Sequence, residues 1–224
     1  MSEKEIIYVG DPMCSWCWGF SPVLERIRND YSALAPMRIV VGGLHAFDSE
    51  PMSEDYKATI RSHWEQVATA TGQPFNYAFF DRQDFVLDTE PACRATVAVR
   101  NLRPAAVWPF YESIHKGYYV EDTDTTALET FMSYAEREDI DVDEFRAAFE
   151  SDAVRQETLE DFSWCQQAGV TGFPTVVLRE DAHLAALTVG YRAFDELKST
   201  LDAWTSGEFS LAQRTASTHV NFGS

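Results

Sequence analysis

Two kinds of hydrophobic pattern divide the chain. Short β-branched and aromatic runs lie near its ends, and helical periodicity fills its middle. Ile6-Ile7-Tyr8-Val9 and Met37-Arg38-Ile39-Val40-Val41 predict two strands, the second ended by Gly42-Gly43. The helix between them, opening near Pro22-Val23-Leu24, makes a β-α-β unit whose strands should be parallel. From about Glu54 to Gly169 the spacing is mostly helical. Tyr56, Ile60, Trp64 and Val67 share one face, and Thr71-Gly72-Gln73-Pro74 stops that helix. Further helices are predicted over Pro91–Arg100, from Ala105 to Lys116 before Gly117, over Thr126–Glu138 and Val142–Phe149, and over Ala153–Ala168 with Gly169 as C-terminal cap. Strands return at Thr175–Leu178 and Leu184–Val189, followed by a helix from Phe194 to about Trp204. The segment from Ser206 to Ser224 is polar.

Composition narrows what such a chain does. Thirty-six acidic against 18 basic residues give a net charge of -18, which argues against nucleic acid and anionic membrane as partners. No apolar run approaches the ~18 residues that span a bilayer. The N-terminus is charged, without a basic region followed by an apolar stretch, so the expected compartment is the cytoplasm. In that compartment a close cysteine pair reads as catalytic, redox-active or metal-binding rather than structural.

Such a pair lies in Asp11-Pro12-Met13-Cys14-Ser15-Trp16-Cys17-Trp18-Gly19-Phe20, at the junction of the first strand and helix. A helix N-terminus favours an anion, and a thiol placed there is shifted toward thiolate. Two intervening residues let the second sulfur reach the first. A zinc site would need two more ligands, and no second CxxC or His-x-x-x-His follows, so no metal is expected. Asp11 is either a proton carrier for Cys17 or a turn residue before Pro12. Cys93 and Cys165 read as buried core thiols. His45 and His63 read as surface or hydrogen-bonded residues that could also line a cleft over Cys14. Trp16, Trp18 and Phe20 either form an apolar lip or, for the last two, face the core. In Gly172-Phe173-Pro174-Thr175, a proline opening a strand requires an outward-facing backbone or a cis bond.

The β-α-β start with Cys14-Ser15-Trp16-Cys17, the long helical insertion, and Gly172-Phe173-Pro174-Thr175 before a β-β-α end resemble the DsbA family of the thioredoxin superfamily. Asp11 to Gly19 resembles its FrnE-like branch of predicted disulfide isomerases. The resemblance spans roughly Ile6 to Trp204. It implies an α/β thioredoxin fold split by a large helical insertion. Residues 1–50 and 170–206 would form the thioredoxin-like domain, 51–169 the inserted domain, and 207–224 a polar tail. It implies a thiol–disulfide oxidoreductase in which Cys14 is the exposed nucleophile and Cys17 the resolving thiol. Ser15 and Trp16 tune the thiolate, and a cis-Pro174 stands beside the sulfurs. The backbone of Phe173 would pair with an extended substrate. Substrates would be disulfide-containing proteins or peptides, with glutathione as a thiol co-substrate and no tightly bound cofactor. An alternative is a glutathione-dependent isomerase or transferase of the 2-hydroxychromene-2-carboxylate isomerase or kappa-class type. Those relatives generally carry Ser where Cys14 stands.

Overall fold

A computed structural model describes residues 2–214. Its centre is β1 (Lys4–Gly10), whose residues Ile6 to Gly10 are all buried. β2 (Met37–Val41), β3 (Thr175–Glu180) and β4 (His183–Val189) complete a sheet in the order β2-β1-β3-β4. β1 and β2 pair in parallel, as a β-α-β unit requires, while β3 runs antiparallel to both β1 and β4. A continuous apolar run suits a central strand covered on both faces. Alternate residues of β1 enter different cores. Ile6 and Tyr8 join the main core with Ile39, Val41, Val176 and Leu178. Ile7 and Val9 join a smaller one with Val40, Val177 and Cys165.

Helix α1 (Ser15–Tyr31) starts directly after Cys14, in keeping with the cysteines' place at the strand-to-helix junction, and seven residues before Pro22, from which the pattern read its opening. Proline inside a helix removes one backbone donor and orphans the carbonyl four residues earlier. Here that carbonyl belongs to Trp18, and it accepts the Ser21 hydroxyl at 2.8 Å and the Gln73 amide at 3.0 Å. The helix therefore passes through Pro22 and places both Cys14 and Cys17 at its N-terminal end.

The middle of the chain is helical, as predicted: α2 (Glu54–Thr71), α3 (Glu90–Leu102), α4 (Val107–Tyr119), α5 (Leu128–Arg137), α6 (Val142–Glu150) and α7 (Asp152–Gln167). Gly72 and Gly169 follow α2 and α7 with φ of 75° and 69°, the left-handed turn that glycine adopts without penalty. Gly117 does not end its helix. It lies within α4, where a β-carbon would sit 2.1 Å from the Tyr134 hydroxyl, so a close helix contact accounts for it. Two 3-10 turns, Tyr77–Asp81 and Pro104–Ala106, were not expected from the pattern. Trp64 of α2 anchors an aromatic cluster with Phe75, Phe79, Phe80, Tyr118 and Tyr119. α8 (Phe194–Ser206) closes the fold. Of the polar tail expected over 207–224, the described part contains a short helical turn, Leu211–Arg214, with Leu211 buried and its N–H donated to Glu180 at 2.6 Å. The rest of that tail lies outside the described residues.

Candidate active site

Cys14 is the N-cap of α1, with extended backbone and no side-chain capping bond. Its N–H donates to the Asp11 carbonyl at 3.1 Å and its carbonyl accepts from Trp18 N at 3.0 Å. The N–H groups of the first turn have no acceptor within the helix, so this end of α1 carries partial positive charge. Cys17 follows within that turn and is fully buried, whereas Cys14 retains 6% exposure. Both are free thiols. Cys14 is thus less open than an exposed nucleophile would be, because the loop before β3 lies across it. The Cys14 Sγ donates to the Phe173 carbonyl at 3.8 Å, and the Phe173–Pro174 bond is cis.

That loop is fastened at both ends. Thr175 Oγ1 donates to the Gly172 carbonyl at 2.7 Å, and Gly190 N donates to the Pro174 carbonyl at 2.7 Å. The Phe173 ring rests on the backbone of Gly42, where a β-carbon would come within 2.1 Å of the ring. The Gly42-Gly43 pair therefore does more than end β2, since it leaves room for the residue facing Cys14.

Asp11 is fully buried. Its carboxylate accepts Met13 N at 2.8 Å, Leu44 N at 2.7 Å and the Cys93 thiol at 3.6 Å. It ties the loop carrying Cys14 to the loop after β2 and to α3. Burial raises its pKa, and the two backbone donors oppose that shift. Its side chain faces these partners, with Thr89 beside them, while its backbone is what approaches Cys17. Cys93 is buried in this bracket, and Cys165 sits in the smaller core with its thiol donating to the Val41 carbonyl at 3.7 Å.

A cleft of about 270 Å³ opens beside Cys14. Met13, Ser15, Trp16 and Phe173 form one side, and Leu44, His45, Tyr56, His63 and Trp64 are among those forming the other. His45 bonds to Asp48 at 3.1 Å and to the Tyr56 hydroxyl at 2.9 Å, so it is hydrogen-bonded and also lines the cleft. Trp16 stays half-buried against Tyr191, with ring centroids 6.0 Å apart. Trp18 and Phe20 face the core. The two helices from the middle of the chain that contribute most here, α2 and α4, supply the aromatic wall.

On the buried side of the pair, the Tyr8 hydroxyl lies beside Cys17, close enough to affect its titration, and stands 3.5 Å from the Tyr111 hydroxyl. Burial pushes the Cys17 thiol well above its ordinary pKa, and the neighbouring Tyr8 hydroxyl pulls it back. Neither tyrosine was singled out from sequence. A polar-tipped aromatic in the otherwise aliphatic run Ile6-Ile7-Tyr8-Val9 was the available signal. Tyr111 had none, since α4 contains several aromatics and only the fold selects one.

A family model of the DSBA-like thioredoxin domain matches residues 5–202. A solved Nitrosomonas europaea structure, described provisionally as a protein disulfide isomerase, superposes with a TM-score of 0.86 at 36% identity, covering 92% of this chain and 100% of that one. DsbM from Pseudomonas aeruginosa, described as a cytosolic disulfide reductase, gives a TM-score of 0.75 at 23% identity over 89% of this chain and 97% of its own. DsbM has also been solved with GSH. The ClpXP adapter protein SpxH from Bacillus subtilis is 22% identical over 181 residues, covering 80% of this chain. The chain spans about 59% of the length of the curated relatives it matches.

Proposed function

This chain belongs to the DSBA-like thioredoxin domain family, and on that premise we propose that Cys14 and Cys17 are its redox pair. The chain is a DsbA-like thiol–disulfide oxidoreductase, and one observation carries the assignment of its residues: Cys14 Sγ lies at the N-terminus of α1 against the carbonyl that precedes a cis-proline. Cys14, as thiolate, attacks one sulfur of a substrate disulfide. An S–S bond forms between them, and the other substrate sulfur leaves with the electron pair and takes a proton. Cys17 then loses its proton and attacks Cys14 Sγ. The Cys14–Cys17 bond forms, the mixed disulfide breaks, and the second substrate thiol is released. Substrate gains two electrons and two protons, and the enzyme's dithiol loses them. Run backwards, the same steps oxidise a substrate.

Phe173 and Pro174 offer backbone to a substrate strand beside the sulfurs, and Ser15 and Trp16 border its path. Residues 1–50 and 170–206 act as the thioredoxin-like unit, and 51–169 as an inserted helical unit that walls the cleft. Glutathione is a fitting thiol co-substrate, supported by the GSH complex of DsbM. A cytoplasmic location agrees with the description of DsbM as cytosolic. Among the described residues no helix is long and apolar enough to cross a membrane. Asp11 holds the Cys14 loop in place through the bonds of its carboxylate to Met13 N and Leu44 N.

Insulin reduction tests this reading. Cys14→Ser abolishes turnover. Cys17→Ser permits the first attack and accumulates a mixed disulfide that mass spectrometry detects. Undiminished turnover by the Cys14 variant would overturn the assignment.

A further inference from the structure

The resolving step requires a thiolate at Cys17, a side chain with no exposure to solvent. Burial disfavours that charge, so the rate of the step depends on what polar groups the protein places around the sulfur. On the buried face of α1 those groups come from three elements. β1 supplies Tyr8, the loop before α1 supplies the backbone of Asp11, and α4 supplies Tyr111 and Tyr119, with His115 packed against both of those rings and Trp18. Cys14 faces the sulfur from within α1 itself. No cation is among them, and His115 is neutral at the pH of exchange. Hydrogen-bond donors are therefore the means available to hold a negative sulfur.

Two hydroxyls are arranged in series toward it. Tyr8 lies on the β1 face that enters the main core, under α1, and its hydroxyl is beside Cys17. The Tyr111 hydroxyl stands 3.5 Å behind it. Their rings meet edge to face, with centroids 6.0 Å apart and planes at 83°, and the Tyr8 ring also stacks on Phe20. The pocket for the two hydroxyls depends on Gly10. A β-carbon at Gly10 would lie 2.6 Å from the Tyr8 oxygen and 2.7 Å from that of Tyr111. The backbone at the end of β1 is thus bare at the point where the phenols converge.

We propose that Tyr8, backed by Tyr111, is a positioning donor for the Cys17 thiolate and sets the pH at which the mixed disulfide resolves. In that step Tyr111 O–H donates to Tyr8 Oη, and Tyr8 O–H donates to Cys17 Sγ. The proton lost by Cys17 is released to solvent and the departing substrate thiolate takes one up. The phenols keep their own protons throughout. They sit opposite the substrate cleft across α1 and need touch no substrate. This role rests on the assignment of Cys14 and Cys17 as the redox pair.

The test is stopped-flow reaction of the fully reduced protein with dithiobis(nitrobenzoate), followed by release of thionitrobenzoate across a pH series. Attack by Cys14 releases one equivalent, and resolution by Cys17 releases the second. Tyr8→Phe keeps the ring and removes only the hydroxyl. Loss of a hydrogen bond to a charged group raises the pH midpoint of the second phase by about one unit. Thiolate at neutral pH then falls about tenfold. A more basic thiolate is more nucleophilic, with a Brønsted slope of about 0.4–0.5, so the second phase slows by only about threefold. The first phase keeps its rate and pH dependence. Tyr111→Phe moves the second phase in the same direction by less.

A second phase that keeps its rate and midpoint in a folded Tyr8→Phe protein overturns the proposal and leaves the redox pair standing. Equal slowing of both phases shows a structural role for Tyr8 and also overturns it. If the parent releases no first equivalent, or Cys14→Ser releases it normally, the assignment of the redox pair falls and this role falls with it.

Discussion

His115 makes acid stability a quantitative prediction. Its ring is 1% exposed and packs against Trp18, Tyr111 and Tyr119. Neither ring nitrogen has a hydrogen-bond partner among the described residues. The Asp11 backbone lies close enough to favour the protonated ring slightly, but not in bonding geometry, and burial dominates, lowering the pKa from 6.5 to about 3. The unfolded chain therefore binds a proton at this residue below pH 6.5, and the folded protein does not until about pH 3. Between those limits the unfolded state holds one more proton, so stability falls as pH falls, by about 1.4 kcal/mol per unit. The buried carboxylates Asp11 and Asp161 have raised pKa values and act in the opposite sense as they protonate, so the parent's own pH curve mixes these effects. Comparison with His115→Phe, which keeps an aromatic ring in the same contacts, isolates one group. Relative to the variant, the parent should lose about 1 kcal/mol on going from pH 7.5 to 5.5 and about 3 kcal/mol by pH 4.5. Urea unfolding at those three values measures the difference. A stability gap that stays constant from pH 7.5 to 4.5 would refute the reasoning and show that the buried ring accepts a proton in the folded state.

Three further outcomes follow from the same geometry. Asp11→Ala strands the N–H groups of Met13 and Leu44, and should cost about 3 kcal/mol in urea unfolding and slow insulin reduction. Gly42→Ala drives a methyl into the Phe173 ring, so exchange should slow several-fold and stability fall by about 1–3 kcal/mol; adding Phe173→Ala should restore most of the stability but not the rate. Cys165, whose thiol burial pushes up to about 12, should resist iodoacetamide at neutral pH in the native protein and react only in denaturant, as peptide mapping would show.

The sheet and the insertion were legible because each rests on a pattern in consecutive residues. Ile6 to Val9 and Thr175 to Leu178 are apolar runs too short for helices, and both became strands. Gly72 and Gly169 marked helix ends because a left-handed residue was needed there. Pro22 and Gly117 misled because part of what accommodates Pro22, and all of what explains Gly117, is distant in sequence. Gln73 joins the neighbouring Ser21 on the carbonyl freed by Pro22, and Tyr134 occupies the space that Gly117 leaves. At the site, Cys14, Cys17 and the Phe173–Pro174 loop could be named beforehand because a motif marks each, although Cys14 and Phe173 lie 159 positions apart and the antiparallel pairing of β3 with β1 brings them together. The partners of Asp11 and the Tyr8–Tyr111 pair could not be named. They depend on which side chains of α3, α4 and the loop after β2 meet beneath α1, and no local periodicity encodes that.

The most direct measurement is an equilibrium titration of the reduced protein in glutathione redox buffers, quenched and mapped by mass spectrometry for all four cysteines. A single two-electron transition should form the Cys14–Cys17 disulfide, with a midpoint between about -270 and -120 mV, the span of thioredoxin-like pairs. Cys93 and Cys165 should remain thiols throughout. A chain in which Cys14 and Cys17 stay reduced across that range, or in which the first disulfide formed contains Cys93 or Cys165, would contradict the assignment of the redox centre.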